Sequence, residues 1–563
     1  MTQFKVATLA SDVPQSLSHY SKRLQQLLMV RGITDADLVQ QFLNPDYETQ
    51  THDPFLLNDM KVAVERILKA VKNNEKIGIF SDYDCDGIPG AVILFDFFTA
   101  IGHANFINYI PHRHYDGFGL SVSAVKELAK KEVNLIITID CGTVDFEAVE
   151  EANKLGIDVI ITDHHEPKEK LPQAVAVVNP KIGNTYPFDG LCGAAVVFKL
   201  TQALIEKGGF DISEGQEKWW LDMVGIATIA DMVPLLDENR TLAHYGLTVL
   251  KKTRRPGLQK LFYKQKIQPQ YLSEDDIGFT IGPRINAASR MDTPEDAFRL
   301  LTTKDESEAG QTLEHLEHLN NERKAAVGVM TKELHKRMKD MDVPDVIVTG
   351  DSSWRPSLVG LAANKLAEEY DRPVFLWGRD GNGVHKGSCR SNGKVSLINI
   401  MEATKDVFIE FGGHHASGGF SVIDEEIFSL SDKLVSAYQE LGEAALVVEP
   451  IQVDLELSIE EIDRELLTAQ KQISPFGTDN PKPVYLINNI LPKEVVLFGK
   501  TKEHTKITFD TNGLVNEAIA FFKLPSDWSK EPKLGQKLSL LCHLEESYFM
   551  GRLQTRLRII DVV

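Results

Sequence analysis

The sequence predicts an α/β protein made of two α/β lobes joined by a long helix and followed by a small β-barrel. Three observations lead there. Apolar strand-like runs alternate with helical segments from about residue 56 to 300, and the alternation resumes at Val343–Thr349 and continues to about 445. Between them, Glu306 to about Lys339 contains no proline and carries Leu313, Leu316, Leu319, Met330 and Leu334 at roughly helical spacing. Beyond Pro450, short strand-like stretches recur to the end of the chain.

The length of 563 residues suits roughly three or four domains. Residues 1–55 read as a small helical segment without a chemical motif. The first lobe is expected over 56–305, the joining helix over 306–340, the second lobe over 341–447 and the barrel over 448–563. In the first lobe the expected strands are residues 76–80, 133–139, 157–162 and 174–178, and Gly193–Glu206 and Glu217–Ala230 read as helices. About 34 residues of joining helix at ~1.5 Å each would span roughly 50 Å. In the tail the expected strands are Lys506–Phe509, Ala518–Phe522, Leu538–Leu541 and Leu553–Val563. In the last of these Arg552, Gln554, Arg556 and Arg558 alternate with Leu553, Thr555, Leu557 and Ile559, a period of two that gives one basic and one apolar face.

Composition excludes several classes. No run of about 18 apolar residues is present, so no membrane span is expected. The first residues, MTQFKVATLASDVPQ, have neither a basic start nor a continuous apolar stretch, so no secretory signal is expected and the cytoplasm is the default compartment. The five cysteines are far apart and form no CxxC pair, against a disulfide framework or a zinc site. A net charge of −20 would ordinarily argue against a nucleic-acid partner. Charge is uneven, however: Lys251 to Lys266 holds seven Lys/Arg and no Asp/Glu, which suits either a phosphate-binding patch or a solvated loop. Trp219 and Trp220 are expected in packing, and His112 and His114 as ordinary surface histidines.

The chemistry concentrates where apolar runs end. The run 76–80 leads into Ser81-Asp82-Tyr83-Asp84-Cys85-Asp86-Gly87, the run 133–139 into Asp140-Cys141-Gly142-Thr143, and the run 157–162 into Asp163-His164-His165. In an open α/β sheet the C-terminal strand ends face one crevice, where ligands bind. Five carboxylates and two imidazoles gathered there would repel severely unless cations filled the crevice. Each piece has an ordinary reading alone: a DxD turn is often a solvated loop, and Asp231, just before Val233-Pro234, is a helix-end residue. Three strand ends in order with one acidic signature point to metal. Carboxylate oxygens with an imidazole and no thiolate cluster suit Mn2+ or Mg2+ better than Zn2+. A pair of ions sharing a bridging carboxylate would suit phosphoryl displacement.

With these residues in view, the chain resembles the DHH phosphoesterase superfamily, named for an Asp-His-His triplet. The likeness extends to DYDCDG, DCGT, Val178-Asn179-Pro180, IADMVPL around Asp231, GPRINAASR (Gly282–Arg290) and GGHHASGG (Gly412–Gly419). It covers about residues 55 to 563, and the last two motifs resemble those of the superfamily's single-strand-specific exonucleases. The resemblance implies a DHH lobe, a DHHA1-like lobe and an OB-like barrel. It implies that Asp84 and Asp140, with Asp82, hold one metal. Asp86, Asp140, His164 and Asp231 would hold the second, with Asp140 bridging. His165 would contact the scissile phosphate and help protonate the leaving oxygen, and Asp163 would orient the imidazoles. Arg284, Asn286 and Arg290 match a phosphate-facing stretch. Ser388 and Arg390 fall where a terminal 5′-phosphate is captured, with Arg113 beside them. His414 and His415, among glycines, suit either close approach to a nucleic-acid backbone or a ligand-free turn.

Two departures are visible. Many superfamily members have a histidine where this chain has Phe80, which leaves Asp82 to complete the first site. Trp354-Arg355-Pro356-Ser357 also replaces a histidine-containing version. The expected function is a two-metal, single-stranded-DNA-specific 5′→3′ exonuclease that releases 5′-mononucleotides in recombination and repair. It would use Mn2+ or Mg2+, act as a monomer on a strand with a free 5′ end, and have a helicase or single-strand-binding protein as the partner the resemblance implies. The alternatives are an oligonucleotide or cyclic-dinucleotide phosphodiesterase of the same superfamily, and a non-catalytic DNA-binding scaffold.

Overall fold

A strand that is apolar on both faces needs cover on both sides, and four of the runs above obtain it. The computed structural model describes residues 3–9, 12–339, 342–381, 383–442, 450–499, 501–511, 513–549 and 552–563. The chain begins with a short strand, β1 (Phe4–Val6), and the helices Lys22–Val30 and Ala36–Leu43. The first lobe follows as β2 (Ile77–Ser81), β3 (Phe106–Tyr109), β4 (Leu135–Ile139), β5 (Asp158–Thr162) and β6 (Ala176–Val178). They form one parallel sheet in the order β3-β2-β4-β5-β6. Met60–Asn73, Gly87–Ala100 and Gly193–Gly208 cover one face, and Val122–Lys130 and Phe146–Lys154 cover the other.

This order has a physical consequence for the site. From β2 the chain crosses outward to β3, then returns to the opposite side of β2 as β4. The topological switch therefore lies between β2 and β4, where a crevice opens at the strand ends. β3 was not expected from the sequence: its four residues are half-buried at the sheet edge and lack the long apolar run of its neighbours.

The joining helix is Glu306–Met338, capped by the Asp305 side chain, which accepts from Glu308 N. The expected boundary at 340/341 lies outside the described residues, as does that at 447/448. The second lobe has β7 (Ile347–Gly350), β8 (Val374–Arg379), β9 (His385–Arg390), β10 (Phe408–Gly413) and β11 (Ser417–Val422) in the order β10-β11-β9-β8-β7. The tail has β12 (Ile451–Val453), β13 (Leu455–Ser458), β14 (Tyr485–Ile490), β15 (Pro492–Phe498), β16 (His504–Phe509), β17 (Glu517–Ala520), β18 (Leu538–Phe549) and β19 (Arg552–Val562). All but β12 form a seven-stranded sheet in the order β13-β14-β18-β19-β17-β16-β15.

Three expectations need correction. The N-terminal segment is not a separate preface: β1 pairs with β12, and Leu17, Leu24, Leu27, Leu28 and Val39 share the tail's core. Glu217–Trp220 is a separate tight turn before the helix Leu221–Ala230. In β19 the alternation holds where Leu557 and Ile559 are buried, but Leu553 is exposed because it lies towards the free end of the long β18–β19 ribbon.

Candidate metal centre

Backbone geometry first brings the acids together. Asp82 follows β2 directly, and its amide donates to Ile139 O of β4. Asp140, directly after β4, has φ +61°, a left-handed conformation that aspartate tolerates better than most residues. Gly193 lets the helix behind approach: a Cβ there would lie 2.7 Å from Asp140 Cβ. Gly87 is required for a similar reason, since its Cβ would lie 2.4 Å from Asp82 O.

Ligand atoms then fall into three overlapping groups, each within 4.8 Å: Asp82, Asp84 and Asp140; Asp86, His164 and Asp231; and Asp140, His164 and His165. His164 Nε2 lies 3.1 Å from Asp140 Oδ1, 3.6 Å from Asp86 Oδ2 and 3.7 Å from Asp231 Oδ2. Local donors fix several of these groups. Asp86 accepts from Gly193 N at 2.6 Å and Ala194 N at 2.7 Å, at the N-terminus of Gly193–Gly208. Asp84 Oδ1 accepts from the amides of Asp86 and Gly87. Asp163 accepts from Thr143 N, His164 N, His165 N and His165 Nδ1. It therefore orients the His165 ring directly, while it touches His164 only through the backbone.

Electrostatics reinforce the geometry. Burial, with Asp86 and its neighbours adding repulsion, drives Asp140 well above the carboxylate range; burial and Asp84 do the same to Asp82. Burial and Asp84 push Asp86 up to about 6 against the pull of its backbone donors, and burial with Asp86 and Asp84 pushes Asp231 up to about 9. Burial and His165 hold His164 down at about 4, in the neutral form that ligates metal. Burial opposes charge on Asp163 and His165 alike, yet their mutual hydrogen bond prevails, lowering Asp163 and raising His165. Asp82 Oδ1 and Asp140 Oδ1 are buried without a hydrogen-bond partner. Orphaned, mutually repelling carboxylate oxygens beside a neutral imidazole fit divalent cations. Phe80 is fully buried and stacks on Tyr109, so this position serves the core.

Basic residues border the cluster. Arg290 is depressed to about 9 by burial and then by Arg113 and Arg323, with Asp84 pulling the other way and Arg390 also close enough to act on it. Arg113 lies over the Tyr83 ring. Ser388 and Arg390 point from the same face of β9: a Cβ at Gly360 would lie 3.0 Å from Ser388 Oγ and 3.1 Å from Arg390 Nη2. Asn286 Oδ1 and Arg323 Nε are buried without partners. Arg323, on the joining helix, was not anticipated, because one arginine among the charges of Asn320–Lys324 carries no pattern.

Other expected residues sit differently. Arg284 is committed to Glu317 and to Thr280 O, a structural pairing. His414 and His415 are exposed near the β10–β11 turn, engaged through backbone bonds to Ser417 and Leu397. The expected surface histidine His114 instead approaches Arg290 O, 3.1 Å from its Nε2. Of the basic stretch, Arg255 is buried against Asp222 and Asp96, Arg254 stacks on Trp219, and Lys260 and Lys264 pair with Glu306 and Glu314. Lys251 and Lys266 line a cleft of about 800 Å³ that also holds Glu274, Asp276, Glu545 and Glu546, with Lys482 of the tail paired to Asp275, so it is not a basic groove.

Residues 76–228 match the DHH family N-terminal domain, 344–440 the DHHA1 domain and 453–561 the RecJ OB domain. The single-stranded-DNA-specific exonuclease RecJ of Bacillus subtilis (strain 168) is 33% identical over 566 residues, covering 99% of this chain and 69% of that one. The crystal structure of RecJ in complex with Mn2+ from Thermus thermophilus superposes with a TM-score of 0.81 at 24% identity, covering 100% of this chain and 79% of that chain. A crystal structure of exonuclease RecJ bound to manganese gives 0.59 at 30% identity, with 69% and 96% covered.

Proposed function

The chain belongs to the RecJ family of single-stranded-DNA-specific exonucleases, and on that premise we propose that it degrades single-stranded DNA from a free 5′ end, releasing 5′-mononucleotides. The enzyme is a metal-dependent hydrolase using Mn2+ or Mg2+. The observation that carries the reading is the convergence of Asp82, Asp84, Asp86, Asp140, His164 and Asp231 on one crevice, with Asp140 and His164 each shared between two groups of ligand atoms.

Asp82, Asp84 and Asp140 would hold one ion, and Asp86, Asp140, His164 and Asp231 the other. The two ions, when bound, supply positive charge opposite the phosphodiester and make water a competent nucleophile near neutral pH. The protein's own residues then set geometry. His165 Nδ1 is occupied by Asp163, so Nε2 is the ring atom left to donate to the scissile phosphate or the leaving oxygen. The raised affinity of His165 for its proton suits that donor role. Arg113 and Arg290 attract the phosphate beside Asp84. Ser388 and Arg390 would seat the terminal 5′-phosphate, since a guanidinium binds phosphate oxygens in pairs. Fixing that phosphate places the next linkage over the metal residues and determines polarity.

Recombination and repair are the processes that suit such an enzyme. Among the described residues no helix is long and apolar enough to cross a membrane. Action in the cytoplasm as a monomer, with a helicase or single-strand-binding protein supplying the strand, completes the proposal. The test is a time course on end-labelled oligonucleotides with Mn2+, Mg2+ or chelator. Mononucleotides should appear from the 5′ end only with metal, and a 5′ block should protect. Protection by a 3′ block alone would overturn the polarity, and equal turnover in chelator would overturn the metal mechanism.

A further inference from the structure

Asp231 differs from its companions in how it is held. Backbone amides grip Asp84, Asp86 and Asp163, whereas the Asp231 carboxylate lies 3.7 Å from His164 Nε2, beyond hydrogen-bond reach. Its placement therefore depends on the backbone that follows. Asp231 N closes the helix Leu221–Ala230 on Ala227 O at 2.8 Å, and the next residue, Met232, has φ +59°. A left-handed methionine is strained, and the residue is 73% exposed, so packing of the methionine does not account for the conformation.

The tail supplies what does. Thr478 Oγ1 donates to Met232 O at 2.6 Å, and Leu235 N donates to Thr478 O at 2.8 Å. Both bonds fall just past Asp231, on the turn formed by residues 232–235. The tail loop comes this close because position 477 is glycine: a Cβ there would lie 2.7 Å from Leu235 Cδ1. The loop is stiff. Gly477 and Asn480 bridge each other through backbone bonds, Asn480 Nδ2 donates to Ile473 O and Pro475 O, and Arg240 of the first lobe reaches Ile473 O and Ser474 O.

We propose that Thr478 is a positioning residue for the metal centre, holding the Met232 turn so that the Asp231 carboxylate meets the second cation, and thereby coupling the OB-like domain to catalysis. Asp231 would otherwise sample the extended backbone available to a relaxed methionine and swing away from Asp86 and His164. The inference rests on the reading of Asp231 as a ligand given above.

The experiment is Mn2+ titration calorimetry on the full chain, with thermal unfolding in chelator as the folding control, for Thr478→Val, Thr478→Ser, Gly477→Ala and Asp231→Asn. Thr478→Val keeps shape and removes the donor. It should weaken one of two Mn2+ sites by about 10-fold, within the range seen when groups behind a metal ligand are lost, with the chelated melting temperature close to wild type. kcat on a 5′-phosphorylated strand should fall with KM little changed, whereas mere loosening of the tail would raise KM. Thr478→Ser should restore both, and Gly477→Ala should weaken the same site as Thr478→Val. If Asp231→Asn loses that site while Thr478→Val and Gly477→Ala bind both ions normally, the coupling is wrong and the ligand reading stands. If Asp231→Asn binds both ions normally, the ligand reading itself is wrong.

Discussion

His165 Nδ1 donates to Asp163 Oδ1 at 2.8 Å, although the two residues are neighbours but one in a chain that could have turned the ring either way. Asp163→Asn keeps the volume and removes the charge that fixes this orientation. Activity should fall about 10- to 100-fold, the usual effect of losing the partner behind a functional histidine. Because the carboxylate raises His165, its loss should move the alkaline limb of the kcat profile to lower pH. An unshifted limb would mean that His165 is not the proton donor.

On the reading proposed above, Asp140 would be shared by the two ions. Asp140→Asn should reduce metal-dependent degradation by more than the ~100-fold expected for an outer partner, and should leave the chelated protein folded. Relief of repulsion from Asp86, Asp84 and Asp82 should even raise its melting temperature in chelator. Wild-type activity of this variant would rule out the bridge.

pH should act on stability in the direction set by the raised carboxylates. Asp86 at about 6 and Asp231 at about 9 retain protons in the folded protein that the unfolded chain has released above its ordinary value of 3.8. The folded state thus binds more protons, and stability falls as pH rises. In chelator the melting temperature should decline from about pH 4 to about pH 9. Mn2+ should raise it far more at about pH 8 than at about pH 5, where protons compete for the same oxygens. Calorimetry with and without EDTA decides.

Arg390→Ala should erase most of the preference for a 5′-phosphate over a 5′-hydroxyl. A charge-assisted hydrogen bond is worth about 1.5–3 kcal/mol, so kcat/KM on the phosphorylated strand should drop roughly 10- to 100-fold while the hydroxyl strand changes little. Equal losses on both substrates would place Arg390 outside the terminal-phosphate pocket.

The strand ends were legible because runs such as IIT and VIIT are apolar on both faces, a pattern imposed by cover on two sides. β3 was not, since an edge strand half open to water writes no such pattern. Phe80 shows how local identity informs: an apolar residue where metal chemistry needs a donor moved the expectation to Asp82, and the structure gathers Asp82 with Asp84 and Asp140. Arg284 shows the limit, because its partner Glu317 stands 33 positions along the chain and nothing in GPRINAASR announces it. Asp231 lies 3.7 Å from His164 Nε2, but the bond from Thr478 to Met232 beside it crosses 246 positions. Such contacts are written in three dimensions only.

The pairing of β1 with β12, and of Arg23 with Glu465 across 442 positions, has a consequence for biosynthesis. Leu24, Leu27 and Leu28 leave the ribosome long before the tail strands that will cover them, and both lobes can mature in the interval. The terminal module therefore closes last, from pieces made at opposite times. An excised fragment starting near residue 450 would lack part of its own interior, and adding the early helices in trans should rescue its solubility.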